Sequence, residues 1–80
     1  MNVGEAVRLR IIDLCEERQI TINKLAMLCG ITQSTISNII SGRNNSTTIA
    51  TIKKICDGLD LSLVDFFSSD LFKNLEQEIQ

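Results

Sequence analysis

The apolar residues of this chain recur every three or four positions, and strict alternation is absent, so the pattern predicts helices and no strands. The first helix runs from about Gly4 to Arg18, with Val7, Ile11, Leu14 and Arg18 on one stripe, and Ile20 packs the short link after it. Thr21 is placed to cap a second helix, Ile22 to Cys29, whose apolar residues are Leu25, Ala26 and Leu28. Thr32 caps a third helix built on Ile36 and Ile39, which ends near Ser41 with Gly42 as its stop. A polar loop covers residues 43–47. Thr48 then opens a fourth helix with Ile49, Ile52, Ile55, Cys56 and Leu59 at helical spacing, terminated by Gly58. Ser62 and Asp65 have the spacing of a capping box and open a short fifth helix carrying Leu63, Phe66 and Phe67, the two phenylalanines closing the core. Residues 68–80 predict one more amphipathic helix, capped by Ser69 or Asp70, with Leu71, Phe72, Leu75 and Ile79 on a common face. The expected architecture is all-α: a compact five-helix domain over residues 1–67, followed by an additional C-terminal amphipathic helix over 68–80.

The stretch from Ile22 to Ser41 carries most of the functional information. It is a short helix, a glycine turn and a second short helix with a polar outer face, the layout of a DNA-binding helix-turn-helix. Two helices crossing steeply over a short turn need a small side chain at their closest approach, and Ala26 supplies it. The turn needs a residue that tolerates positive φ, which Gly30 does without a Cβ penalty. Ile31, Ile36 and Ile39 pin the second helix against the first.

Eighty residues bound the chain to one small domain, with no room for a separate catalytic or effector-binding unit. A chain of this size buries only about 60% of its unfolded surface, so its core must be dense, and an apolar fraction of 44% suffices for that. No basic leader followed by an apolar run opens the chain, and no apolar run is long enough to span a bilayer. The expected location is cytoplasmic. Cys15, Cys29 and Cys56 are odd in number, widely spaced and set among apolar residues, so they are expected to be buried, reduced thiols. With no histidine and no paired cysteine spacing, neither a metal nor a cofactor is expected. Without histidine, a glycine-rich phosphate loop or carboxylates paired in an apolar setting, an enzyme is not expected either.

A net charge of −2 argues at first against a nucleic-acid partner. The distribution along the chain reverses that. Residues 1–18 set three arginines against four acids, and residues 57–80 set Lys73 against six acids. Between them, residues 19–56 carry Lys24, Arg43, Lys53 and Lys54 and no acid at all. This acid-free block contains the helix-turn-helix, as a surface approaching phosphate requires.

From Arg18 to Phe67 the chain resembles the lambda-repressor and Cro-like helix-turn-helix family, often called the XRE family. The resemblance rests on Leu25-Ala26, on the run Gly30-Ile31-Thr32-Gln33-Ser34-Thr35-Ile36-Ser37, on Gly42, and on Thr48-Ile49 with Thr51-Ile52 and Ile55. It continues through Leu61-Ser62-Leu63 and Phe66-Phe67. It implies a five-helix regulator that binds operators as a dimer with its third helix in the major groove. Three positions depart from the family pattern: Ile22 stands where many members carry a phosphate-clamping Gln, Ile40 where many carry an acid, and Thr47 where many carry a Pro. The first departure removes one expected phosphate contact, and the other two concern helix ends.

On the third helix, Ile36 and Ile39 define the buried side, leaving Gln33, Ser34, Ser37, Asn38 and Ser41 on the wet side. Side-chain amides can pair bidentately with adenine, whereas hydroxyls donate or accept with little selectivity. Gln33 and Asn38 are therefore the expected base readers, with Ser34 and Ser37 as secondary contacts, and the family resemblance points to the same positions. Phosphate contacts are expected from Asn23 and Lys24 at the start of the second helix and from Thr32 and Thr35 at the start of the third. Arg43, Asn44 and Asn45 in the following loop complete that set.

The tail admits two readings: it folds back on the first helix to finish the core, or it forms a dimer seam or a docking face for a protein partner. Leu9, Ile12 and Ile40 add apolar contact surface. The leading expectation is a dimeric, sequence-specific repressor of transcription on double-stranded DNA with an inverted-repeat operator. The alternative is an antitoxin-like interaction module that masks a basic partner with an acidic C-terminal helix and binds DNA only for autoregulation.

Overall fold

A short polar side chain starts each of the five α-helices in the computed structural model, which describes residues 1–79. Asn2 opens α1 (Val3–Arg18) by accepting from the Glu5 N–H at 2.9 Å. Thr21 opens α2 (Ile22–Cys29), Thr32 opens α3 (Gln33–Ile40) and Thr48 opens α4 (Ile49–Gly58), each accepting from the N–H three residues on. Ser62 does the same for α5 (Leu63–Phe67), accepting from the Asp65 N–H at 3.0 Å. Each such cap satisfies a helix-end donor that would otherwise have no partner and is worth about 1 kcal/mol. No strand occurs among the described residues.

Left-handed residues follow α1, α2, α3 and α4. Gly30 ends α2 at φ +65°, and its N–H reaches the Ala26 carbonyl. No atom lies within 4 Å of a Cβ added there, so the backbone angle, not crowding, is what calls for glycine. Gln19 and Asp60 take the same conformation after α1 and α4, at φ 54° and 55°. Beyond Asp60 the Leu61 N–H returns to the Cys56 carbonyl at 2.8 Å, the paired-bond geometry of a Schellman end.

Gly58 ends α4, as its place in the pattern predicts, but crowding rather than the backbone angle calls for glycine there. A Cβ at this position would meet Cys29 Sγ at 2.5 Å and the Leu28 carbonyl oxygen at 2.8 Å. Its place is the contact between α2 and α4, where only a hydrogen fits.

Fourteen residues form one core cluster that takes side chains from all five helices. Phe66, Leu25, Ile36 and Ile55 are fully buried at its centre. Ala26 is buried beside them, and α2 packs on both α3 and α4. Truncating Phe66 to alanine is worth about 3–5 kcal/mol on the usual scale for a core phenylalanine. The three thiols lie in this cluster, all free and all buried. Burial pushes the Cys29 thiol up to about 11, with Cys15 and Cys56 adding to the effect.

The arginines of α1 tie α3, α4 and α5 to it. Arg8 Nε donates to the Ile40 carbonyl at 2.6 Å, at the end of α3. Arg10 donates to the Phe66 and Asp65 carbonyls of α5, with its guanidinium 6.0 Å from the Phe66 ring centroid. Arg18 donates to the Leu59 carbonyl just after α4 at 2.6 Å. A cation at a helix C-terminus satisfies an unpaired carbonyl and opposes the helix dipole at the same time.

The C-terminal amphipathic helix expected over 68–80 does not form. Asp70–Phe72 make a single 3₁₀ turn, and residues 73–79 run without helix; the last position of the expected helix, 80, lies outside the described residues. Phe72 packs edge-on to Phe67, with centroids 4.9 Å apart, which anchors the chain to α5. Asn74 then turns left-handed at φ 57°, and Glu76 bonds to Met1 through both its N–H and its carboxylate. A segment this short is a marginal helix in water, and these contacts outweigh its pattern. The start of the tail folds back on the domain: the 3₁₀ turn lies against α1.

Candidate nucleic-acid interface

Helix α3 exposes a polar strip because its apolar residues sit three apart. Ile36 and Ile39 are 0% and 1% exposed, which turns Gln33, Ser34, Ser37 and Asn38 to solvent. Among the described residues no hydrogen bond occupies the side chain of any of these four. The Asn38 carbonyl, by contrast, accepts from the Ser41 hydroxyl and from the Asn44 N–H at 3.0 Å, which fastens the following loop to the end of the helix. Ser41 is the C-cap rather than a member of the free strip.

At the other end of α3 the Thr32 and Thr35 hydroxyls lie 2.9 Å apart, and Thr32 also accepts from the Thr35 N–H. Both oxygens therefore serve the cap, and Thr35 is half-buried. The N–H groups of Gln33 and Ser34 remain at the open end of the helix, where unpaired donors and the dipole favour an anion.

The first turn of α2 carries Asn23 and Lys24, both exposed and without an acid beside them in that turn. Ile22 and Ile40 line one groove, so this turn lies next to the end of α3. The loop residues Arg43, Asn44 and Asn45 are exposed as well. Asn44 is the best held of them: its Oδ1 accepts from the Ser46 N–H at 3.0 Å. Asn45 packs its backbone on Gly4, leaving no space for a Cβ there, so α1 supports the loop from behind. The fold thus gathers the α2 turn and the loop about the end of α3, while Thr32 and Thr35 mark the opposite end.

The remaining cations differ in availability. Lys53 is held by Asp57 at 2.6 Å, and that bond raises its affinity for its proton. No side-chain bond holds Lys24, Arg43 or Lys54 among the described residues. Glu16, from outside the acid-free block of sequence, lines the same groove as Ile22 and Ile40, so the ends of α2 and α3 are not free of acid in space.

Residues 10–70 match the model of the Cro/C1-type helix-turn-helix DNA-binding domain, and the chain belongs to that family. It is a DNA-binding domain of the XRE type, as the ordered motifs from Arg18 to Phe67 imply. Among solved structures it is similar to the crystal structure of the prophage Lp1 protein 11. The two are 36% identical with a TM-score of 0.79, over 94% of this chain and 100% of that one. A comparison with curated protein sequences finds no match. No helix among the described residues is long and apolar enough to cross a membrane.

Proposed function

We propose that the protein is a sequence-specific regulator of transcription, a dimeric repressor that lays α3 in the major groove of double-stranded DNA and has no catalytic role. The observation that carries this reading is the strip of Gln33, Ser34, Ser37 and Asn38 on the second helix of the motif, exposed and, among the described residues, without side-chain hydrogen bonds. Gln33 and Asn38 read bases through their amides, and Ser34 and Ser37 make secondary contacts. Lys24 and Arg43 bring positive charge to phosphates flanking the groove, and Asn23 and Asn45 add neutral donors. Thr32, Thr35 and Asn44 act through geometry, since their side-chain oxygens are already engaged and present the adjoining N–H groups to phosphate.

A single domain of this size makes few phosphate contacts, so tight binding calls for a second copy and an inverted-repeat operator. Exposed apolar residues support a self-complementary face. Val3, Ile49 and Phe67 line one groove, and Val64 stands one turn before Phe67 on α5. In this reading the protein works in the cytoplasm, on its operators.

The test is selection from a random duplex library at near-physiological salt. Enrichment of an inverted repeat with half-sites about one helical turn apart is the expected result. A folded protein that enriches no sequence overturns the proposal.

A further inference from the structure

Residues 73–79 leave the 3₁₀ turn and run without helix to the amino end of the chain. Their course brings acid to a stretch of sequence, residues 19–56, that carries none of its own. Glu76 donates its N–H to the Met1 carbonyl at 3.1 Å and sets its carboxylate 3.2 Å from the Met1 ammonium. Two residues on, Glu78 lines the same groove as Asn45, Ser46 and Thr47, in the loop that leads into α4. Among the described residues it is the one charged group of that lining, and it has neither an ion-pair nor a hydrogen-bond partner. Lys73, the cation of this segment, is turned to Asp70 at 3.0 Å. The attachment is slight. Beyond Asn74 the bonds that hold the segment, among the described residues, are the two from Glu76 to Met1. The ion pair is exposed, which makes it weak, and Ile79 remains 84% exposed.

We propose that residues 75–79 are an autoinhibitory strap: with DNA absent the Glu78 carboxylate stands in for phosphate at the 43–47 loop, and a duplex displaces the strap when it binds. This rests on the function proposed above, which assigns Arg43 and Asn45 to phosphate. Carboxylate and phosphate are both oxyanions that seek N–H donors and positive charge. The loop offers both, through the Asn45 amide and the Arg43 guanidinium. The N–H groups of Ile49 and Ala50 stand at the open end of α4 beside it, where the Thr48 cap serves Thr51. Two anions brought together at one loop repel, so a phosphate reaches Asn45 only as Glu78 leaves. The slight attachment of the strap allows this without disturbing the core. Because the loop meets backbone and not bases, the strap lowers affinity for every duplex by a similar factor and leaves the choice of sequence to α3.

The test compares the full chain with its Glu78→Gln and Asp60→Asn variants on a random-sequence DNA duplex, at low and at near-physiological salt. Asp60 makes the control: it is exposed, it lies beyond the end of α4 farther from the loop, and its left-handed backbone suits Asn. Glu78→Gln is expected to bind about threefold to tenfold more tightly than wild type at low salt, the gain shrinking as salt shortens the screening length. Asp60→Asn, which removes the same charge elsewhere, is expected to change affinity by less than about twofold. Nuclear magnetic resonance follows the strap itself. Proton contacts between Glu76 and Met1, and between Glu78 and the 45–47 loop, are expected in the free protein and absent from the complex. Equal gains for the two variants, which would mark net charge alone, overturn the proposal. So do contacts that persist in the complex or are missing from the free protein. If wild type and both variants bind the duplex alike, the strap fails and the DNA-binding reading stands; if none binds any duplex, both fail.

Discussion

Helix α1 carries Arg8, Arg10 and Arg18, and all three donate inward to main-chain carbonyls at or just beyond the ends of other helices. Residues 19–56 carry Lys24, Arg43, Lys53 and Lys54, and among the described residues only Lys53 of these is held, by Asp57. The first set holds the helices together; in the function proposed above, Lys24 and Arg43 of the second set meet phosphate. A count of charges along the chain treats the two sets alike. The difference lies in what each cation finds within reach: α1 crosses behind three helix ends that lack donors, whereas the exposed side chains of Lys24 and Arg43 have no side-chain bond among the described residues. Removing an arginine from the first set should therefore cost stability, and removing a cation from the second should cost affinity.

The sharpest break of that contrast is Arg10→Met, which removes two carbonyl bonds and the packing over Phe66. We expect a loss of about 2–3 kcal/mol in a urea melt, with DNA affinity per folded molecule preserved. A melt indistinguishable from wild type would falsify the structural role of the α1 arginines. Gln33→Ala should do the reverse: about 1–3 kcal/mol lost on the selected duplex, little on random DNA, and an unchanged melting temperature. Equal losses on every duplex would remove Gln33 from the base readers. Arg43→Ala is expected to have a smaller effect, weakening all duplexes alike and lowering the salt slope by about 0.9 for each phosphate that the protein ceases to neutralise. If instead it lowers the melting temperature, Arg43 belongs with the α1 set.

The smallest effect concerns the buried thiols. Cys29 rises to about 11 in the folded protein from an ordinary 9.0. The folded state thus holds this proton more tightly than the unfolded chain does. Its stabilising contribution is complete below about pH 9 and is lost as pH rises through about 11. Urea midpoints should fall across that window, and Cys29→Ala should flatten the fall. A thiol reagent that labels Cys29 at neutral pH without prior unfolding would contradict its burial.

Much of the frame was legible because caps are local. Thr21, Thr32, Thr48 and Ser62 each bond three residues ahead, and hydroxyl spacing records that directly. Gly30 was legible for the same reason, since a left-handed helix end depends on one residue's φ. Gly58 does end α4, but its requirement for glycine is the nearness of Cys29, a contact across helices that leaves no local signal. The tail was misread because helical periodicity does not reveal that Phe72 and Glu76 are held by Phe67 and Met1. The sequence shows no partner for the α1 arginines, for these are carbonyls between 32 and 56 residues away.

By itself the sequence determined the five helices, the caps of four of them, the apolar side of α3 and, through the ordered motifs from Arg18 to Phe67, the DNA-binding family. These follow from interactions within a few residues and from a periodicity that the backbone imposes. Tertiary structure alone decided which cations are free, where Glu16 lies, why position 58 must be glycine and that the tail turns back. Those outcomes depend on which groups distant in sequence are brought within bonding or contact distance, and only the packed chain sets those distances.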